Sequence, residues 1–305
     1  MKLKKGYVIN DKYQIKHFID SFTYCETYSA LDLSSHNLIN ISVYNASKIS
    51  RDDLDENGEL KEIHFLKLSL TGLPTFLDNG EFSLELEKFR YITTEFISGE
   101  STLDRLKRVG TFSEFDAINV IERLIEICNA LHTSNPPILL NGLSLNNIMY
   151  DLSSGAEEIV LRNLINLRNF ESSFKFNHID GVSPFLISSE SFNNIFTPKS
   201  DQFNIAAILY LLIEGIPPWY DEKKLNLKNT DQIDDFLDQR DLPLKFLNIK
   251  DGHLKNVITK SLDSNSENRF NSLQEMLGFL NRETILAENS DRPVKKHKKK
   301  GNGFS

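Results

Sequence analysis

The side chains that could carry chemistry are spread along this sequence without a catalytic or metal-binding spacing. Cys25 and Cys128 are its only cysteines, and no basic neighbour in sequence is placed to activate Cys25. The seven histidines have no spacing typical of metal ligands. Asn147 offers one neutral amide oxygen, which alone holds Mg²⁺ weakly, so we expect it to be a structural hydrogen-bonding residue. Glu62 is expected to be a solvated or locally paired helix residue.

Length and composition indicate a globular protein in a reducing compartment. The 305 residues are 40% hydrophobic and 26% charged, which allows one large domain or two lobes with a sizeable core. Two cysteines far apart in sequence are not a disulfide framework. The N-terminal residues include lysines but no apolar stretch after them, so we expect no signal peptide and a cytoplasmic location.

The net charge of −8 is unevenly distributed. Residues 291–305 contain six Lys or Arg and one Asp, a net charge of +5, so the rest of the chain carries −13. An acidic body argues against a broad nucleic-acid surface, and we expect no specific nucleic-acid partner. We interpret the lysine run at 295–300 as a solvated linker; contact with RNA or with an anionic membrane is the alternative.

Hydrophobic patterning predicts a small β-rich lobe over residues 1–97, followed by a hinge at 95–100. Alternating β-branched and aromatic residues predict strands, and apolar residues recurring every three or four positions predict a helix. The predicted elements are three antiparallel strands within 13–45, a helix over 59–70, and two short strands at 75–77 and 89–95.

Residues 98–285 are predicted to form a mostly helical lobe, and residues 286–305 a basic flexible tail or linker. Ser113 followed by Asp116 resembles a capped helix start, and apolar residues then recur at helical spacing to His132. The other predicted elements are short strands within 138–152 and 157–161, a central helix at 198–214, and later helices at 252–262 and 272–281.

The central helix organises this lobe. Thr197 and Pro198 favour a helix start, and Gly215 with the prolines after it favours a sharp end. Residues 205–213 are non-polar or aromatic on every side, and a helix with no polar face lies inside a protein. This apolar run is much shorter than the roughly 20 residues that cross a bilayer, so we expect no transmembrane segment.

Several segments resemble the protein kinase family, at separations typical of that family. Residues 91–99, YITTEFISG, resemble the fifth strand and hinge, and residues 143–149, LSLNNIM, resemble the end of the catalytic loop. Glu190 ends a Ser-Ser-Glu run where the family has Ala-Pro-Glu. The resemblance covers about residues 10–282. It implies an α+β, bilobal protein kinase-like fold, with a small antiparallel β-sheet lobe plus one helix and a larger, mostly helical lobe.

The same alignment implies that the groups that bind phosphate are missing. The three glycine-loop positions, where the backbone must approach phosphate closely, are Asp20, Phe22 and Cys25. Ser42 stands at the position of the third-strand lysine, so Glu62, which matches the helix glutamate, lacks its lysine partner.

The catalytic and metal-binding positions are altered as well. Gly142, which has no side chain, stands where the family has the catalytic aspartate, and Asn163 replaces the aspartate of Asp-Phe-Gly. Only Asn147, one metal ligand, is retained. The resemblance therefore implies a degenerate kinase, or pseudokinase, without catalytic, cofactor-binding or metal-binding residues. We predict that neither ATP nor Mg²⁺ binds.

The positions that hold the kinase fold together are retained. In the family an apolar stack runs through both lobes onto the central helix, and an internal ion pair braces the helical lobe. The stack residues here would be Leu66, Phe76 or Leu77, Leu140 and Leu164, resting at Asp201, and the ion pair would join Glu190 to Arg269. We expect Asp201 to accept hydrogen bonds from backbone N–H groups of the catalytic loop.

This division between lost chemistry and retained structure predicts a catalytically inactive module for protein interaction or regulation. We expect a protein partner, with a downstream domain of the same polypeptide as one candidate. Two alternatives remain open. One is a nucleotide-binding protein or phosphotransferase with a non-standard active site, in which Asn147 and Asn163 lie near the phosphates. The other is a regulatory N-terminal domain of a longer multidomain protein.

Overall fold

The computed structural model describes residues 3–22, 24–49, 51–140, 142–162, 168–169, 183–221 and 230–290. It has a sheet-based lobe followed by a mostly helical lobe, so the α+β bilobal prediction is confirmed. Within these ranges, every helix is too short or too polar to cross a bilayer.

The small lobe is built on six antiparallel strands. They are β1 (Val8–Ile9), β2 (Tyr13–Phe22), β3 (Cys25–Asp32), β4 (Leu38–Asn45), β5 (Phe76–Leu84) and β6 (Glu87–Glu95). Their order across the sheet is β1-β2-β3-β4-β6-β5. Thr27 of β3 pairs with Asp20 on one side and with Ser42 on the other, so two of the predicted site positions flank one residue.

The bounds of two predicted elements in this lobe were wrong. Helix α1 covers only Lys61–Lys67, not 59–70, because the chain leaves the helix at Leu68 and Ser69 has a φ of 51°. Strand β5 extends to Leu84 rather than ending at residue 77. Asp, Asn and Gly at residues 78–80 are poor strand formers, which hid the strand; pairing with β6 along its whole length overrides their propensity.

Alternate residues of β4 point to opposite faces of the sheet, and both faces are covered. Ile41 belongs to a buried cluster on one face, which Leu3 and Tyr28 also join. Tyr44 belongs on the other face to the main core, together with Leu66 of α1. That main core continues into the helical lobe, so the two lobes share one hydrophobic interior.

The helical lobe contains α2 (Thr102–Val109), α3 (Glu114–His132), α4 (Pro198–Glu214), α5 (Thr230–Asp238), α6 (Gly252–Ser261) and α7 (Leu273–Ser290). The central helix α4 has the predicted bounds, whereas α2 and α5 were not predicted. Helix α7 continues past residue 281, where we predicted its end, and past residue 286, where we placed the start of the tail. Residues 291–305 lie outside the described part of the chain.

Helix α4 is buried along almost its whole length. Thr197 and Ser200 form a capping box at its start. Gly215 ends it with a φ of 78°, a left-handed conformation that glycine adopts without steric cost. Just beyond, the ring of Trp219 stacks on Phe203 of α4, with ring planes 14° apart.

Short strands connect the hinge to the helical lobe. β7 (Gly99–Ser101) pairs with β9 (Ile148–Asp151), which pairs with β10 (Glu158–Leu161). A second pair joins β8 (Ile138–Leu139) to β11 (Arg168–Asn169). The predicted hinge at 95–100 therefore ends in a strand. Ser98 also donates its backbone N–H to Asp151 Oδ1 at 2.9 Å.

Candidate functional site

The cleft between the lobes brings together several residues predicted for nucleotide chemistry, and little open space remains among them. Its residual cavity is about 30 Å³ and is lined by Ser42, Glu62, Leu66 and Arg162, among others. A cavity needs roughly 10–15 Å³ of such volume to hold one water. Among the residues that the structure describes, this cavity therefore fits a water or two and is too small for a purine.

Arg162 supplies the cation of this cleft. Its Nε donates to the carbonyl of Asn146 at 2.9 Å, and its Nη2 lies 4.0 Å from Asp20 Oδ2. Only 16% of its side chain is exposed. Burial lowers the pKa of Arg162, while the nearby charge of Asp20 opposes that shift. Arginine remains protonated in proteins, so a fixed positive charge connects the small lobe to the catalytic-loop segment.

Glu62 is hydrogen-bonded to a tyrosine two residues beyond the lysine position. The Tyr44 hydroxyl donates to Glu62 Oε2. Burial raises the pKa of Tyr44, as do the neighbouring Cys25 and Glu62, so this hydroxyl is a neutral donor at physiological pH. Ser42, at the lysine position, lies 3.4 Å from Thr27 through their hydroxyl oxygens.

The catalytic-loop positions make local hydrogen bonds. Asn147 Oδ1 accepts from the Ser144 backbone N–H at 2.9 Å and from the Ser144 hydroxyl at 2.8 Å. Its Nδ2 donates to the Arg162 carbonyl at 3.3 Å. The Asn147 amide is thus engaged on both sides, by Ser144 within the loop and by Arg162 after β10. Gly142 has a φ of 92°, which disfavours any residue with a side chain at this position.

Helix α4 holds the same loop through two buried polar side chains. Asp201 Oδ2 accepts the Leu140 backbone N–H at 2.9 Å, and Asn204 Oδ1 accepts the Leu143 backbone N–H at 2.7 Å. His132 Nε2 lies 2.8 Å from the same Asp201 oxygen, with the Cys128 thiol beside it. Cys128, His132 and Asp201 form a set of potential metal ligands, and these side chains are already hydrogen-bonded to one another.

The glycine-loop positions lie at the end of the β2–β3 hairpin. Cys25 is buried in the main core, and burial raises the pKa of its thiol, with the charge of Glu62 adding to the shift. The thiol is therefore protonated at neutral pH. Asp20 Oδ1 accepts the backbone N–H of Ser21 at 2.8 Å. Phe22 is the last residue of β2, and its side chain lies outside the described part, as do Asn163 and Leu164.

Three of the predicted stack residues share the main core. Leu66 and Leu140 are buried in it, and Phe76 packs against it half-buried. Leu77 is 49% exposed, so Phe76 occupies the position that sequence analysis left open between the two.

The ion pair between Glu190 and Arg269 is bidentate, with nitrogen–oxygen distances of 2.7 and 3.0 Å. The Arg269 side chain is 0% exposed and also donates to the carbonyls of Lys199 and Asp263. Burial alone would raise the pKa of Glu190, but the hydrogen bonds and charge of Arg269 outweigh it, so the pKa is lowered. The pair joins the segment that precedes α4 to the loop before α7.

Comparison with known protein families agrees with the architecture described above. Residues 13–278 match the protein kinase domain family. The chain belongs to this family. It is 24% identical over 216 residues to a CaM kinase-like vesicle-associated protein of Danio rerio, covering 70% of this chain and 47% of that protein. The protein of that description from Xenopus laevis is 25% identical over 218 residues, covering 70% and 54%.

A third relative of this kinase domain is calcium/calmodulin-dependent protein kinase type 1 of Caenorhabditis briggsae, 25% identical over 141 residues, or 46% of this chain and 39% of that protein. The chain spans about half the length of the vesicle-associated relatives it matches.

Sequence reasoning about this kinase domain missed Arg162, Tyr44 and Arg240. Tyr44 lies two residues after Ser42, on the same face of β4, and that spacing was an available signal. Arg162 directly precedes Asn163, but its approach to Asp20 joins residues far apart in sequence. Arg240 has no local signal at all.

Arg240 is a buried cation that holds the segment leading to Glu190. It is 4% exposed, and its guanidinium donates to Ser189 Oγ at 3.1 Å and to the Pro184 carbonyl at 3.0 Å. The ring of Phe203 lies 4.9 Å away. Burial lowers the pKa of Arg240 to about 9, which still leaves it charged at neutral pH. Its bonds fix the backbone before Glu190.

Proposed function

We propose that this kinase domain is catalytically inactive and works as a protein-interaction or regulatory module, that is, a pseudokinase. The observation that carries the proposal is the occupied cleft. Arg162 lines the cavity beside Ser42 and Glu62, at the positions matched to nucleotide chemistry, and the volume of that cavity is only about 30 Å³. A nucleotide could bind only if this side chain and its contacts to Asp20 and Asn146 were displaced.

The chemistry of the surrounding residues supports the same proposal. Phosphoryl transfer needs a base for the acceptor hydroxyl, metal ligands and a lysine on the phosphates. Gly142 offers no base, and loss of a general base typically costs about 10²–10⁴ in rate. Ser42 offers no charge, and the Asn147 amide is already hydrogen-bonded to Ser144 and Arg162. All of these deficits fall in one site, although their effects on the reaction rate need not multiply.

A second function has one observation in its favour. Arg162 is a fixed positive charge in the cleft, and phosphate groups bind arginine well. A nucleotide-binding protein or phosphotransferase with a non-standard site would use this residue in place of the missing lysine. Such a site would have to break the approach of Arg162 to Asp20 first.

Thermal unfolding with millimolar ATP, with and without Mg²⁺ or Mn²⁺, and isothermal titration separate the two functions. A site occupied at 100 times its Kd would add about 2.7 kcal/mol of stability. We expect no shift for the parent chain. Arg162→Ala tests the cause: nucleotide binding by this variant alone would show that the side chain blocks the cleft. Saturable, metal-dependent stabilisation of the parent would overturn the pseudokinase proposal and favour the second function.

The proposal also covers the larger protein or assembly in which this domain would work. Since the chain spans about half of its vesicle-associated relatives, we propose that it acts as the regulatory part of a larger assembly, or of a longer polypeptide, with a protein as its partner. Cys25 and Cys128 are both buried and free of disulfides, which supports our placement of the protein in a reducing, cytoplasmic compartment. Pull-down with the whole chain, compared with Arg162→Ala as a control for cleft-dependent binding, would identify the partner.

A further inference from the structure

A groove separate from the cleft lies between helices α2 and α3, the loop at 69–72, and residues 156–159 at the start of β10. Its volume is about 1480 Å³. The floor is partly apolar, formed by Leu70, Phe112, Val120, Ile127 and Ile159, and the rim is charged. A groove of this size accommodates a peptide segment rather than a small ion.

The rim has an excess of negative charge. Five carboxylates face three arginines: Asp116, Glu122, Glu126, Glu157 and Glu158 against Arg105, Arg108 and Arg123. Each arginine already has a carboxylate partner: Arg105 bonds Glu157 and Glu100, Arg108 bonds Glu100, and Arg123 bonds Glu126. Among the described residues, Asp116, Glu122 and Glu158 have no basic side chain within ion-pair distance. The groove therefore presents three carboxylates to any cation that enters it.

Glu122 is a half-buried carboxylate in an unfavourable place for its charge. Burial raises its pKa, and the neighbouring Glu126 raises it further, while Arg123 only partly compensates. A half-buried carboxylate beside a second carboxylate is stabilised when a cation approaches. Lysine side chains can deliver that charge while their methylene stems cover the apolar floor.

We propose that this groove is the docking site of the chain's own basic segment, residues 291–305. The segment holds six Lys or Arg and one Asp, so its net charge of +5 complements the groove. Val294 and Pro293 precede the lysine run and offer apolar surface for the floor. Docking in this groove would leave the nucleotide cleft untouched, so the proposal stands apart from whether the cleft binds nucleotide.

The path of α7 brings the segment toward the groove. Asn129, near the end of α3, bonds Gln274 in the first turn of α7. Glu114, in the first turn of α3, bonds the loop that leads into α6, and His253 of α6 lies 2.8 Å from the Phe279 carbonyl. Helix α7 therefore runs from the C-terminal part of α3 toward its N-terminal end, where the groove begins.

The lengths are compatible with docking. The side of the groove along α3, from Ser113 to Ala130, is about 26 Å long at 1.5 Å per residue. Residues 291–305, fully extended, reach about 50 Å. The segment can therefore turn back after Ser290 and still lie along the groove.

Carbodiimide cross-linking of the whole chain tests the proposal, because it joins lysine amines only to carboxylates in direct contact. Peptide mapping of the monomer fraction is expected to show Lys295 to Lys300 joined to Glu122, Asp116 or Glu158. The double variant Glu122→Gln/Glu158→Gln should lose most of these links. Its matched control, Glu85→Gln/Glu87→Gln at the exposed β5–β6 turn, should keep them.

Salt provides an independent readout that needs no substitution. The Debye length falls from about 10 Å at 0.1 M to about 3 Å at 1 M, so the groove links should decrease severalfold in yield. Links spread evenly over the acidic surface, or no links at all, would overturn the proposal. Groove links found only in a dimer fraction would overturn it too, since they would assign the groove to the segment of a second copy.

Discussion

The Glu190–Arg269 pair is buried deeply enough that losing one partner should strongly lower the free energy of unfolding. Arg269→Ala would leave the Glu190 carboxylate, 16% exposed, without its cation, and removing one member of a buried pair typically costs about 3–5 kcal/mol. We expect a loss of that order in the free energy of unfolding, measured by urea denaturation.

The matched control for this substitution is Arg123→Ala. Arg123 bonds Glu126 at 2.6 Å, but the two side chains are 66% and 53% exposed. An exposed pair of this kind contributes at most about 1 kcal/mol. If the two variants lost equal stability, the burial of Arg269 would not be what makes its pair strong.

The lowered pKa of Glu190 predicts a pH dependence with a definite sign. In the folded state Glu190 binds its proton less readily than in the unfolded chain, where the usual pKa is about 4.3. The stability it contributes is therefore complete above that pH and is lost as the pH falls toward the folded-state pKa. Urea unfolding of the parent and of Glu190→Gln between pH 3 and pH 7 should give curves that converge in acid. Parallel curves would contradict the assignment.

Gly72 shows how closely two elements approach. A Cβ on this residue would lie 2.3 Å from Ile127 of α3, and the φ of Gly72 is +84°. Gly72→Ala should cost about 1–2 kcal/mol through the backbone and about 1–3 kcal/mol more through overpacking. Thermal or urea unfolding measures the sum.

Gly155→Ala isolates the backbone part of that cost. Gly155 has a φ of +83° and no atom within 4 Å of an added Cβ. The double variant Gly72→Ala/Ile127→Ala should lose less stability than its two single variants together, because the clash is removed. Strict additivity would mean that the loop moves away from α3 without cost.

Elements with strong local signals were predictable, and elements defined by tertiary contact were not. Helix α4 was predicted correctly because its caps and its all-round apolar run are both local. Helix α2 is only eight residues long, and the signal of β5 was masked by residues 78–80. The bilobal fold and the framework residues were expected from the resemblance to the protein kinase family. The contacts in the cleft were not, because Arg162 meets Asp20, and Tyr44 meets Glu62, only after the lobes assemble.

The main core crosses from α1 into α3 and α4, so the two lobes should unfold together. If one lobe unfolded alone, the interior that it shares with the other lobe would be exposed to water, so we expect no stable partly folded state. Calorimetry should show one transition, with equal calorimetric and van't Hoff enthalpies. Leu66→Ala, which should cost about 2–5 kcal/mol, should shift that transition as a whole. Two resolved transitions would contradict the shared core.

The stacking of Trp219 on Phe203 gives the protein an intrinsic fluorescent probe. It is the chain's single tryptophan, and its indole N–H also donates to the Leu242 carbonyl at 2.9 Å. Emission excited at the red edge of the indole band therefore originates at one point, beside Phe203 in the N-terminal half of α4. A red shift on perturbing the small lobe would report, without any label, that the disturbance had travelled through the interior to the far lobe.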